Sequence, residues 1–167
     1  DSVERVQLPD TVGPFLAGDL ASGQMTSYHE QHLVEDKLGR GALRIFSAAD
    51  FDASLLKDGL VVAADFARDN PQTVQAVVDA VLEGWTIAFS EPERAVAACV
   101  AARPDVTADE HRRQLADIKA LSLQGATLTH GLGYPDPQHM ARAAEALLAV
   151  EKRTIDLEGI LDPGFWQ

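Results

Sequence analysis

From Leu60 onward the chain reads as one short apolar strand followed almost wholly by helices, and that imbalance limits the folds open to it. Helix starts are well marked. Asn70 can cap with its side-chain oxygen, and Pro71 stands at the first helical position, where its missing N–H costs nothing. Val74, Val77, Val78, Val81, Leu82 and Trp85 then form an apolar stripe on one helix face. Ser90-x-x-Glu93 and Thr107-x-x-Glu110 fit the capping box and predict two further helices, the first ended by Arg103-Pro104. Asp136-Pro137 opens a fourth, with Met140, Ala144, Leu147 and Leu148 facing inward. Striped helices need a sheet to cover, and Leu60–Ala64 alone supplies too little. The covering sheet is expected in residues before Asp1 or in another chain, with a simpler packing of helix on helix as the alternative.

The first 59 residues alternate strand and helix signals. Val6 and Leu8 give Val3–Leu8 the alternation of a half-buried strand. Pro9-Asp10-Thr11 ends it and opens a short helix through Phe15, Leu16 and Leu20, loosened by Gly18 and Gly23. Gln24–Tyr28 reads as a second strand, His29–Leu38 as a helix stopped by Gly39, and Ala42–Phe46 as a third strand. Ser47–Gly59 is a polar crossing segment, and the tail from Thr154 to Gln167 is expected to be irregular. Strand and helix in alternation predict an α/β protein with a parallel sheet.

Composition narrows the function. With 167 residues there is chain enough for a core, and 46% hydrophobic with 24% charged residues suits a folded domain. A net charge of −12 argues against nucleic acid, because phosphate contacts need clustered Lys and Arg. Cys99 is the sole cysteine, so no intramolecular disulfide exists. No run of residues approaches the length of a membrane span.

Several segments, taken in order, resemble the solute-binding proteins of ABC importers, above all those for thiamine precursors, sulfonates and taurine. Phe66, Asn70-Pro71, Gly84-Trp85 and Pro92-Glu93-x-Ala95 carry the likeness best. The run from Phe15 to Gln24 is similar to the family's short helix and Gly-polar turn. Tyr28-His29-Glu30 resembles its aromatic-x-Glu element at the cleft edge, and Gly131-x-Gly133-x-x-Asp136 its turn before the final helix. The resemblance implies a type II periplasmic-binding-protein-like fold of three α/β/α layers, apparently lacking the amino-terminal part of the first lobe. Residues 1–59 would be the latter part of the second lobe and 60–167 a mostly helical return into the first. It implies a periplasmic or extracytoplasmic protein, free or membrane-anchored through a missing amino-terminal segment, that closes over a small-molecule ligand and delivers it to a membrane permease. A thiamine-precursor-like nitrogen heterocycle is the favoured ligand, with sulfonates or taurine second. A sensory or interaction domain is an alternative. So is a pyrimidine-precursor synthase, but that would need a reactive cysteine and histidine cluster, which Cys99 alone does not supply. No enzyme activity, cofactor or metal is expected, and the truncated chain is expected to self-associate.

Candidate ligand contacts follow. Ser27, Tyr28 and Glu30 stand where a strand would meet a helix, the end of a parallel sheet where ligands collect. A tyrosine can stack on a planar ring, and a carboxylate can accept bonds from an aminopyrimidine. The plainer alternative makes Tyr28 a packing residue and Glu30 an exposed helix-start acid. Asp10 and Thr11 could line the same cleft or simply cap a helix. Asp50, Phe51 and Asp52 lie near the expected hinge, as ligand contacts or as turn residues. His29 and His32, with Glu30 and Glu35 nearby, do not make HExxH, since position 33 is leucine; a solvated helix face is the simpler account. Gly131-Leu132-Gly133 reads as a turn, Cys99 and Trp85 as core, and His111-Arg112-Arg113 as an exposed basic helix turn.

Overall fold

Pro71 begins the longest element in a computed structural model of the protein, which describes residues 3–51, 54, 59–152, 154 and 162–166. Eight α-helices form among those residues: α1 Val12–Ala17, α2 Glu30–Leu38, α3 Ala64–Asp69, α4 Pro71–Ser90, α5 Pro92–Ala102, α6 Ala108–Ser122, α7 Thr127–His130 and α8 Pro137–Glu151. Short 3-10 turns occur at Arg40–Ala42, Ala48–Phe51 and Pro163–Phe165. Among the described residues no helix is long and apolar enough to cross a membrane.

Among the described residues no strand forms, which corrects the expected strands Val3–Leu8, Gln24–Tyr28, Ala42–Phe46 and Leu60–Ala64. A strand is stabilised by a neighbour that takes its N–H and C=O groups. Leu60, Val61 and Val62 make no backbone hydrogen bond to a described residue. Their side chains stand 60%, 95% and 44% exposed. Ala64 belongs instead to α3, a helix the strand signal hid. The three-layer α/β/α arrangement thus has no sheet among the described residues. Six residues of the crossing segment (52, 53 and 55–58) and most of the tail lie outside them.

Helix starts follow local chemistry, with two corrections. Thr107 forms the full capping box with Glu110: its hydroxyl accepts from the Glu110 amide at 3.2 Å, and Glu110 accepts from the Thr107 amide at 2.8 Å. Asp136 caps α8 by accepting from the Gln138 amide at 2.9 Å. The box expected at Ser90 does not form. Pro92 fixes the start of α5 with Glu91 at the cap, so Ser90 stays inside α4 and its hydroxyl donates to the Thr86 carbonyl at 2.8 Å. Asn70 does not cap α4 with its oxygen either. α3 ends directly before it, and the Asn70 side-chain amide, Nδ2, donates back to the Phe66 carbonyl at 3.2 Å.

The core is thin. Val34, Phe89, Val96 and Ala143 are the buried hydrophobic residues among those described. They mark α2, the end of α4, the middle of α5 and α8, with α4, α5 and α6 packed on one another. Lys119 of α6 ties the stack by donating to the Phe89 carbonyl at 2.8 Å. Trp85 meets Phe89 at a tilt, ring centres 5.5 Å apart, yet is 39% exposed, and Val77 is 49% exposed, so the α4 stripe is only part covered. Cys99 is exposed, contrary to expectation, although it stands one turn beyond the buried Val96. The solvent-accessible surface is 12498 Å². An 18.0 kDa monomer of ordinary compactness exposes roughly 8,000 Å². Large apolar side chains stand uncovered among the described residues, Val61, Leu128 and Val150 among them.

Candidate ligand-binding recess

The segment Gln24–Tyr28 is held without a sheet, by side chains at both ends. Thr11, at the start of α1, donates its hydroxyl to the Gln24 carbonyl at 3.1 Å. At the other end Glu30, the first residue of α2, closes a ring with Thr26. Its Oε2 accepts from the Thr26 amide at 3.0 Å and from the Thr26 hydroxyl. The Thr26 carbonyl accepts in turn from the amides of His29 and Gln31 at 3.3 and 3.2 Å. Ser and Thr ahead of a helix commonly bond nearby backbone in this way. Gly23 permits the close pass over α1, since a Cβ there would lie 3.3 Å from the Met25 methyl and 3.7 Å from Thr11.

These ties leave an open recess of about 430 Å³ lined by Thr11, Gln24, Met25, Thr26, Ser27, Tyr28 and Glu30. That volume falls within the range of small-molecule sites. Its lining offers hydroxyls, one amide, a thioether, a phenol and one carboxylate, with no Lys or Arg. Burial pushes the Glu30 carboxyl up. The hydrogen bonds from the Thr26 hydroxyl and the backbone amides outweigh it and, with the nearby His29, hold the group below its ordinary range. At neutral pH the recess therefore holds one fixed negative charge at its edge.

Four of the expected contacts come together here: Thr11, Ser27, Tyr28 and Glu30. Asp10 does not line the recess. Its carboxylate accepts from the amides of Val12 and Gly13 at 3.0 and 3.4 Å and is a helix-start cap. Asp50 and Phe51 lie elsewhere too. Phe51 is 65% exposed and packs its ring 6.3 Å from Phe46, over which Arg44 sits at 5.0 Å. Asp50 closes the 3-10 turn through its amide to the Ser47 carbonyl, so both act as turn residues. Asp52 lies outside the described residues. Sequence reasoning missed Gln24, Met25 and Thr26. The available signal was Thr26-Ser27 just ahead of a helix, with Glu30 four residues on.

No group of three or more His, Cys, Asp or Glu residues able to hold a metal occurs among the described residues. His32 is not on a solvated face. Its Nε2 lies 2.6 Å from Asp117 Oδ2, and its side chain is 12% exposed. The basic run His111-Arg112-Arg113 is likewise engaged: Arg112 with Glu93 at 2.7 Å and Arg113 with Asp36 at 2.6 Å. His111 Nε2 is enclosed without a hydrogen-bond partner among the described residues.

A family model described as NMT1/THI5 like matches residues 1–95, more than half of the 167-residue chain. The chain belongs to the NMT1/THI5-like family. Its match contains the whole recess and the run from Phe66 to Ala95 that carries the likeness to thiamine-precursor and sulfonate binders. It stops before Gly131-x-Gly133, so the expected reach of the likeness to the last helix does not rest on it. The NMT1/THI5-like family has a periplasmic-binding-protein-like fold, and its functions are solute binding or thiamine-precursor chemistry. No curated protein matches the chain, and no solved structure does.

Proposed function

We propose that this chain binds a small, planar nitrogen heterocycle of the thiamine-precursor sort in the Thr11–Glu30 recess and delivers it to an ABC importer outside the cytoplasm. The observation that carries this is the lining: hydroxyls, an amide, the Tyr28 ring and one carboxylate, with no cation. A heterocycle with an exocyclic amino group donates to a carboxylate and stacks on a phenol ring. A sulfonate is a fixed anion and calls for Arg, Lys or several amide donors, so Glu30 would repel it. Family membership supports the same choice of ligand class.

The mechanism is binding and closure without a chemical step. Cys99, the residue a thiol-dependent synthase would use, is exposed on α5 and does not line the recess. A ligand held between two surfaces favours the closed arrangement by its differential affinity, and the permease reads that state. The uncovered apolar surface also favours self-association of the isolated chain.

Calorimetric titration of the chain with a 4-aminopyrimidine and with methanesulfonate, which carries no ammonium, tests the ligand class. The aminopyrimidine should bind and the sulfonate should not, and Tyr28→Ala should weaken the former about tenfold, the worth of one aromatic stack. Tighter binding of the sulfonate, or an affinity indifferent to Tyr28→Ala, would reject the heterocycle.

A further inference from the structure

At nine residues α2 is too short to hold a direction by itself, yet its first residue closes one edge of the recess. Something outside must fix it. α1 packs along it and Val34 is 1% exposed, but α1 spans only Val12–Ala17 and carries no charged group. A second hold comes from α6, far along the chain. His32 and Asp36 stand one turn apart on α2, and Arg113 and Asp117 stand one turn apart on α6. They pair in opposite order. His32 Nε2 meets Asp117 Oδ2 at 2.6 Å, and Arg113 grips Asp36 through two parallel bonds of 2.9 and 2.6 Å. The fork-to-fork geometry of the second pair sets angle as well as distance.

We propose that Asp117 and Arg113 are positioning residues for the recess, acting through His32 and Asp36. Charged groups surround this ladder on both helices. α6 presents Asp117 and Arg113, with Glu110 near Arg113 and Lys119 committed to the Phe89 carbonyl. α2 itself presents Asp36, Glu35 and Lys37, and Arg40 in the following turn pairs with Glu35 at 3.0 Å. Of these four cations Arg113 and Arg40 are each paired with a carboxylate, and an acid stands by the imidazole on both helices, Asp117 on α6 and Asp36 on α2. α6 lies beyond residue 95, so the matched part of the chain borrows its alignment from the unmatched part.

The link to ligand binding rests on the heterocycle reading above, so the first readout uses no ligand. Hydrogen exchange of the amides of α2 and of Thr26–Tyr28 is followed on the whole chain at pH 7. Asp36→Arg and Arg113→Asp should each lower protection by roughly threefold to fivefold, the reach of one exposed ion pair, and the double reversal should restore it. Asp117→Asn should lower protection of the same amides while the chain remains folded. Failure of the double reversal to rescue, or protection unmoved by either single reversal, would overturn the proposal. Titration with a 4-aminopyrimidine then separates the two ideas. Exchange that follows the ladder while no aminopyrimidine binds sinks the heterocycle and leaves the positioning role standing.

Discussion

Around the recess the chain is held by side chains bonding nearby backbone, whereas from Pro71 onward it is held by helices packed on one another. In the first region Thr11 ties Gln24, Glu30 ties Thr26 and Asp10 caps α1, while Val34 is the one fully buried apolar side chain there among the described residues. In the second, Phe89 and Val96 are buried where α4, α5 and α6 meet, and Lys119 bonds across from α6. The difference is one of range. Hydrogen-bonded turns fix a local shape and leave polar groups facing a cavity, as a binding surface requires. Packed helices supply the stability that those turns lack, and the α2–α6 ladder connects the two.

Removing the second region's largest buried side chain would test this division most severely. Phe89→Ala deletes a residue that is 9% exposed and packed at a tilt against Trp85, and should cost about 3 kcal/mol of unfolding free energy. Chemical denaturation read by helical circular dichroism measures it, with Trp85 fluorescence as a local report. A loss below about 1 kcal/mol would be the value for a poorly packed site and would place stability elsewhere.

Gly133 provides the next largest effect and locates the edge of the packed region. Its φ is +76°, and an added Cβ would stand 2.8 Å from Leu82 Cδ2 on α4. Trp166 covers the same turn, its indole donating to the Leu132 carbonyl at 2.9 Å and its ring meeting Tyr134 edge-on at 5.1 Å. Gly133→Ala meets both a left-handed backbone and a clash, and should cost about 1–2 kcal/mol. A shifted Trp166 emission would confirm that the turn itself moved. Wild-type emission with wild-type stability would show that the turn is not packed on α4 as described.

Helices were legible in the sequence because their signals are local, and strands were misread because theirs is not. Thr107-x-x-Glu110 and Asp136-Pro137 carry their own partners within four residues, so each formed as read. Leu60–Val62 has the residues of a strand, but a strand also needs a neighbour, and none of the described residues provides one. Ser90 and Asn70 failed for an intermediate reason: an adjacent helix took the same groups for its own carbonyls. In the recess, Thr11, Ser27, Tyr28 and Glu30 were found because they flank helix starts. His32 with Asp117 was beyond reach, since the two are 85 positions apart and nothing in either neighbourhood names the other.

The Thr107 cap offers the smallest and most selective comparison, because its contribution should depend on pH. Thr107→Ala removes one side-chain cap from α6 and should cost about 1 kcal/mol near neutrality. The Thr107 hydroxyl, and then its amide, hold the Glu110 carboxyl below the usual value of 4.5. A carboxyl depressed in the folded state contributes stability above its unfolded value and loses it as pH falls through the folded one. The gap between wild type and Thr107→Ala should therefore narrow as pH falls below the usual carboxyl value of 4.5, when protonation weakens the bonds to the carboxylate and leaves the cap on the Glu110 amide. Carboxyl resonances followed by NMR would show Glu110 titrating higher in the variant. A gap between the two proteins that stays constant from pH 7 to pH 3 would mean that the hydroxyl acts only on the Glu110 amide, and that the carboxylate half of the box contributes nothing to α6.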